Sequence, residues 1–207
     1  MFRARGGWWV EAGLVVAFVL FTWMVAAGLT DGLDIAVASW CLEHQTTVTH
    51  GLARVLNYLG QGTPLAIAAL VLSGWVWWRI RRWTAFLPTV LAYALTYITL
   101  GPLKIWSSRT SPNDKGPDPV KFFNHHSEYL MGYPSGHVVN AIVWWGVFAI
   151  LLRKKSRALR VVPPAIVLCT TTYLGFHWLT DGIGAILLGL FLDRLIHRFR
   201  WEEILAR

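Results

Sequence analysis

The chain has 207 residues, of which 55% are hydrophobic and only 14% charged, with 13 tryptophans and a formal net charge of +8. A water-soluble domain carries roughly a quarter charged residues, so this composition cannot cover a surface facing water on all sides. It excludes an ordinary soluble enzyme and points to a single integral membrane domain over residues 1–207.

A spanning helix needs about 20 mainly apolar residues. Runs of that order occur at Ala12–Thr30, Val55–Trp78, Trp83–Leu103, Tyr129–Leu152 and Val161–Thr180. A sixth, Gly182–Leu192, reaches spanning length only as Trp178–Ile196, which brings in Asp181 and Asp193. The expected fold class is therefore all-α: a polytopic bundle of about six transmembrane helices. The first run is too long for a signal-peptide core and no small-residue cleavage site follows it. Between the first two spans, Leu33, Val37, Trp40 and Cys41 recur at helical spacing, which predicts an amphipathic helix lying in the membrane interface or packed on the bundle. Residues 104–132 include "SSRTSPNDKGPDPV" and read as a long loop, a candidate roof or wall for a site.

With six crossings and a cytoplasmic N-terminus, 14 of the 19 Lys and Arg fall on the cytoplasmic side and 5 on the other. The positive-inside rule favours that orientation, with both termini cytoplasmic. The basic residues are scattered over separate loops beside anionic lipid, which argues against nucleic acid as a partner. Cys41 and Cys169 show no metal-ligand spacing and are not expected to pair. Trp75, Trp77, Trp78 and Trp83 read as an aromatic belt, and Asp193 and Arg194 as a pair with each other or with headgroups.

The same topology gathers the polar residues that most need explaining on the extracytoplasmic side. "PSGH", Pro134 to His137, precedes the fourth span, and "FHWLTD", Phe176 to Asp181, ends the fifth. Ser135 can cap the fourth helix, whose free N–H groups and positive dipole end suit an anion. Gly136 lets that anion approach the backbone, and His137 projects at the mouth. His177 and Asp181 share a face if their stretch is helical, and a carboxylate on one imidazole nitrogen leaves the other free as nucleophile or base. Lys104 and Arg109 add positive charge for a phosphate. Two imidazoles, a carboxylate, two cations and a helix tip together suit phosphoryl transfer through a phosphohistidine. His125 and His126, in the loop, are set aside as non-catalytic.

These elements resemble the type 2 phosphatidic acid phosphatases and their lipid phosphatase and haloperoxidase relatives. That family's pattern is K-x6-R-P, then P-S-G-H, then S-R-x5-H-x3-D. Here Pro134, Ser135, Gly136 and His137 are intact, as are His177 and Asp181, Lys104, and Pro112. The family arginines are absent: Ser111 stands at the first, and Thr170 and Thr171 at the S-R pair, with Arg109 two residues from Ser111. The resemblance implies that His177 attacks phosphorus, Asp181 orients it, and His137 protonates the leaving oxygen and then activates water. It implies that Lys104, Arg109 and the N–H groups of Ser135 and Gly136 hold the phosphate oxygens, with no metal or other cofactor. The function implied is a lipid phosphatase acting on a lipid phosphate or diphosphate from within a cell membrane, as in a bacterial inner membrane. The missing arginines leave a second reading on the same scaffold, a lipid phosphotransferase or headgroup transferase. Arg109 is expected to substitute in part, with the hydroxyls of Ser111 and Thr171 donating neutral hydrogen bonds that are roughly half as strong.

Overall fold

The computed structural model describes residues 7–123 and 132–206; His125 and His126 lie outside them. The described elements are α-helices with short 3₁₀ turns. They are α1 Trp9–Ala26, α2 Asp31–Glu43, α3 Thr47–Asn57, α4 Gly62–Ile80, α5 Leu87–Ser107, α6 Gly136–Leu151, α7 Arg157–Tyr173, α8 Leu179–His197 and α9 Trp201–Ile204.

Three of these runs are long and apolar enough to cross a membrane: α1, α4, and α5 with its leading turn as Trp83–Ser107. α6 is apolar but has 16 residues, so it is only about 24 Å long. Among the described residues of the expected run Tyr129–Leu152, the helix starts at Gly136, because Pro134 and the Ser135 cap precede it. The run Val55–Trp78 is likewise broken: Val55 belongs to α3, a turn follows at Tyr58–Gly60, and α4 begins at Gly62.

α6 is the central post. Its residues from Val138 onward are nearly all buried, against α4, α5, α7 and α8, while α1 packs on α8. Trp144 lies in this core with 2% exposure. The surrounding helices turn large apolar side chains outward: Val15, Val19 and Trp23 on α1, Ile67 and Val71 on α4, Val90 and Ile98 on α5. An apolar periphery around a packed core suits hydrocarbon outside.

In α2 the stripe read from the sequence is split between the two faces. Leu33 and Trp40 face outward, and the buried stripe is Asp34, Ala38 and Cys41. Both faces of the helix are largely apolar, so hydrophobicity does not say which one packs.

The two ends of the bundle differ chemically. At one, buried Glu11 on α1 accepts from Arg194 Nε at 3.1 Å and Arg198 Nη2 at 2.8 Å on α8. Asp193 there pairs with Arg160 of α7 and with His197. The expected Asp193–Arg194 pairing is thus replaced, because neighbours on a helix point to different faces. At the other end the carboxyl ends of α5 and α7 meet the amino ends of α6 and α8.

Candidate active site

The P-S-G-H segment is held from three sides. Ser107 Oγ at the end of α5 donates to the Tyr133 carbonyl at 3.0 Å. The buried Tyr133 hydroxyl bonds Thr22 of α1 at 2.6 Å. Ser135 N–H donates to the Asp181 carbonyl at 3.0 Å, which ties the amino ends of α6 and α8 together. Ser135 Oγ accepts from Val138 N–H at 3.4 Å, the expected cap.

These contacts correct one expected role. Ser135 is fully buried and its N–H is already taken by Asp181, so it holds the site together rather than facing an anion. Among the described residues, the first-turn N–H groups of α6 left without an acceptor are those of Gly136 and His137. Lys104, in the last turn of α5, lies over this helix tip. A Cβ on Gly136 would stand 3.4 Å from Lys104 Cε and 3.8 Å from its Nζ, so the absence of a side chain keeps that space open.

His177 sits on the turn between α7 and α8. α7 ends in a Schellman motif: Gly175 has φ +66°, its N–H reaches the Thr172 carbonyl at 3.0 Å, and Phe176 N–H reaches Thr171 at 3.0 Å. The loop after α5 clamps this turn, with Asn113 Nδ2 donating to the Leu174 carbonyl at 2.9 Å and Trp178 Nε1 to Thr110 at 3.0 Å. The long loop therefore forms a wall against the turn that carries His177.

His177 precedes α8, so it and Asp181 are not on one helical face as the spacing suggests. They approach because Asp181 Oδ2 folds back to accept Trp178 N–H at 2.9 Å at the start of α8. The His177 Nδ1 to Asp181 Oδ2 distance is 3.7 Å, an ion-pair separation too long for a hydrogen bond. Such contacts tighten when substrate binds. Nδ1 faces the carboxylate, and the Gly132 backbone also lies against the ring. The His137 and His177 rings lie 5.7 Å apart between centroids at 66°, close enough for both to reach one phosphorus atom.

Arg109 is brought to the site but not to its mouth. It is fully buried, with Nη1 on Asp181 Oδ1 at 2.6 Å and on Thr180 Oγ1 at 2.9 Å. Its Nη2 bonds Asp34 Oδ2 at 2.6 Å, and its Nε bonds the Val120 carbonyl at 2.7 Å. Burial opposes its charge, but Asp181 and Asp34 hold the guanidinium protonated above its ordinary range. The expected phosphate contact is thereby replaced by a buried ion cluster. Thr171 is also redirected: its hydroxyl donates to the Val167 carbonyl at 2.8 Å within α7, the usual helix back-bond of a threonine.

Sequence reasoning missed Asp34 and Thr180. The available signal for Asp34 was a carboxylate in an otherwise apolar helical stripe, which a membrane protein keeps only with a partner.

The chain is 27% identical over 178 residues to phosphatidylglycerophosphatase B of Bacillus subtilis (strain 168), covering 78% of this chain and 79% of that one. Its fold matches the crystal structure of a transmembrane PAP2-type phosphatidylglycerolphosphate phosphatase from Bacillus subtilis with a TM-score of 0.74, over 90% of this chain and 93% of that one at 20% identity. The sequence profile of the PAP2 superfamily matches residues 85–205, from the start of α5 through both histidine elements, and the chain belongs to that superfamily.

Proposed function

We propose that the chain is an integral membrane lipid phosphatase that removes phosphate from a lipid phosphate at the extracytoplasmic face, through a phosphohistidine on His177. The observation that carries this reading is the convergence of the two imidazoles, 5.7 Å apart, at the amino tip of α6 beside Lys104. Relatives named for phosphatidylglycerol phosphate make that lipid the first substrate to try.

Each group then has a task. His177 Nε2 attacks phosphorus, forming the N–P bond as the P–O bond to the lipid breaks. His137 donates a proton to the leaving oxygen, so the lipid departs as an alcohol. Asp181, 3.7 Å from His177 Nδ1, balances the positive charge that builds on the ring. His137 then removes a proton from water, whose oxygen attacks phosphorus and releases inorganic phosphate. Lys104 and the N–H groups of Gly136 and His137 hold the non-bridging oxygens. Charge stabilisation in this scheme comes from those groups, so it does not call for a metal.

With Ser111 and Thr171 in place of the family arginines and Arg109 turned inward, the mouth has fewer cations than the family pattern. That favours less charged phosphates and keeps a diester lipid in the panel, with the more highly charged diphosphate as its contrast. The test is phosphate release in detergent, with chelator present, from phosphatidylglycerol phosphate, phosphatidate and a polyprenyl diphosphate, and release of the headgroup alcohol from a diester, for wild type and His177→Ala. Release without added alcohol and its loss in the variant are expected. A requirement for metal, activity that survives the substitution, or product formed only with an alcohol acceptor would overturn the reading, the last in favour of a transferase.

A further inference from the structure

The interfacial helix α2 sends one carboxylate into the bundle. Asp34 is fully buried, and both its oxygens are engaged at the start of α8. Oδ1 accepts the Thr180 N–H at 3.0 Å, and Oδ2 accepts Arg109 Nη2 at 2.6 Å and the Thr180 hydroxyl. The second N–H of α8, which has no partner within its own helix, is thus satisfied by a side chain from another element. Arg109 continues the chain to Asp181, which faces His177. Aromatic rings wall the guanidinium, with Phe122 and Trp178 each 5.7 Å from it.

We propose that Asp34 is a positioning residue for the histidine chemistry: it acts through Arg109 and Asp181 on His177 and fixes the first turn of α8 from α2. This rests on the proposed phosphatase reading. Asp34 competes with Asp181 for one guanidinium. With Asp34 charged, Arg109 is shared and Asp181 keeps more of its negative potential for the His177 ring. With Asp34 neutralised, the whole guanidinium charge bears on Asp181, and the positive ring formed during phosphoryl transfer is stabilised less. Asp34 does not touch substrate, so the loss falls on turnover and not on binding.

The experiment compares Asp34→Asn, Asp34→Glu and His177→Ala as purified full chains on the preferred lipid phosphate. Asp34→Asn keeps an acceptor for the Thr180 N–H. The expected result is a fall in kcat of roughly 10- to 100-fold, the usual cost of losing a supporting partner behind an active group. KM should stay within about twofold, because groups made only for the transition state act on kcat. The acid limb of the pH–rate profile should move to lower pH, since His177 loses support for its protonated form. The charged or titratable groups facing His177 are Asp181, Lys104 on α5 and His137 on α6. Asp34→Glu should recover most of the rate. A folded Asp34→Asn with wild-type kcat and an unmoved profile would overturn the proposal, as would a fall in melting temperature alone. Should Asp34→Asn not fold, Thr180→Val decides: it removes the hydroxyl that bridges Asp34 Oδ2 and Arg109 Nη1 beside their direct ion pair, which loosens the relay and leaves every charge. A lower kcat at constant KM supports the proposal, and an unchanged kcat ends it. Activity remaining in His177→Ala would instead strike the phosphatase reading itself.

Discussion

Replacing Arg109 by Gln separates a buried ion cluster from a phosphate ligand. The guanidinium has zero exposure, as do its partners Asp34 and Asp181, and it donates to both carboxylates, to Thr180 Oγ1 and to the Val120 carbonyl. A glutamine leaves two buried carboxylates without their shared cation. Removing one partner from a buried ion pair costs about 3–5 kcal/mol. For a chain of this size each kcal/mol lowers the melting temperature by about 2–4 °C, so the variant should melt roughly 6–20 °C below wild type. Arg109→Lys keeps the charge, but one ammonium cannot span both carboxylates and the carbonyl, so a smaller loss of about 1–3 kcal/mol is expected. The assay is thermal unfolding in a fixed detergent, followed by tryptophan fluorescence, beside KM for a lipid phosphate. A phosphate ligand at the mouth would show the opposite pattern, a raised KM with an unchanged melting point. If Arg109→Gln melts within about 3 °C of wild type, the buried-cluster account is wrong.

Two glycine substitutions test the turns that hold the histidines. A Cβ on Gly60 would lie 2.6 Å from the His137 carbonyl and 2.5 Å from Val167 Cγ1. Gly60→Ala should therefore displace the first turn of α6, costing about 1–3 kcal/mol of stability and lowering kcat by up to about 100-fold, read by melting and steady-state kinetics. Gly175 has φ +66° and packs against Asn113. Gly175→Ala should cost about 1–3 kcal/mol by the same melting assay, and a neutral effect would mean that the left-handed end of α7 is not required.

The sequence carries the class of the fold plainly, since 14% charged residues are too few for a surface facing water on all sides. It also carries the histidine end, because P-S-G-H reads as a capped helix tip and H-x3-D as a pair. Side-chain direction was not legible. In α2 lipid and protein interior are both apolar, so the pattern at Leu33, Val37 and Trp40 could not show that Asp34 faces inward. Arg109 looked like a ligand because cations near a phosphate motif usually bind phosphate; its buried partners Asp34, Thr180 and Asp181 are all distant in sequence. Ser135 was read correctly as a cap, but the capture of its N–H by the Asp181 carbonyl is a tertiary contact that no local pattern records. Helix starts moved for the same reason that Gly60 and Pro134 matter: a hydropathy run passes over a break that backbone geometry obeys.

The central claim is that two imidazoles serve one phosphorus centre in succession, and trapping the intermediate tests it most directly. His137→Ala removes both the acid of the first step and the base of the second while leaving His177, so with an aryl phosphate, whose leaving group departs without a proton, turnover should halt at the phosphorylated enzyme. Rapid quenching into base, followed by mass spectrometry of the peptide containing His177, should find phosphate on that residue in His137→Ala and none in His177→Ala. An unmodified His177 in the quenched His137→Ala protein, with phosphate still released at the wild-type rate, would contradict the account.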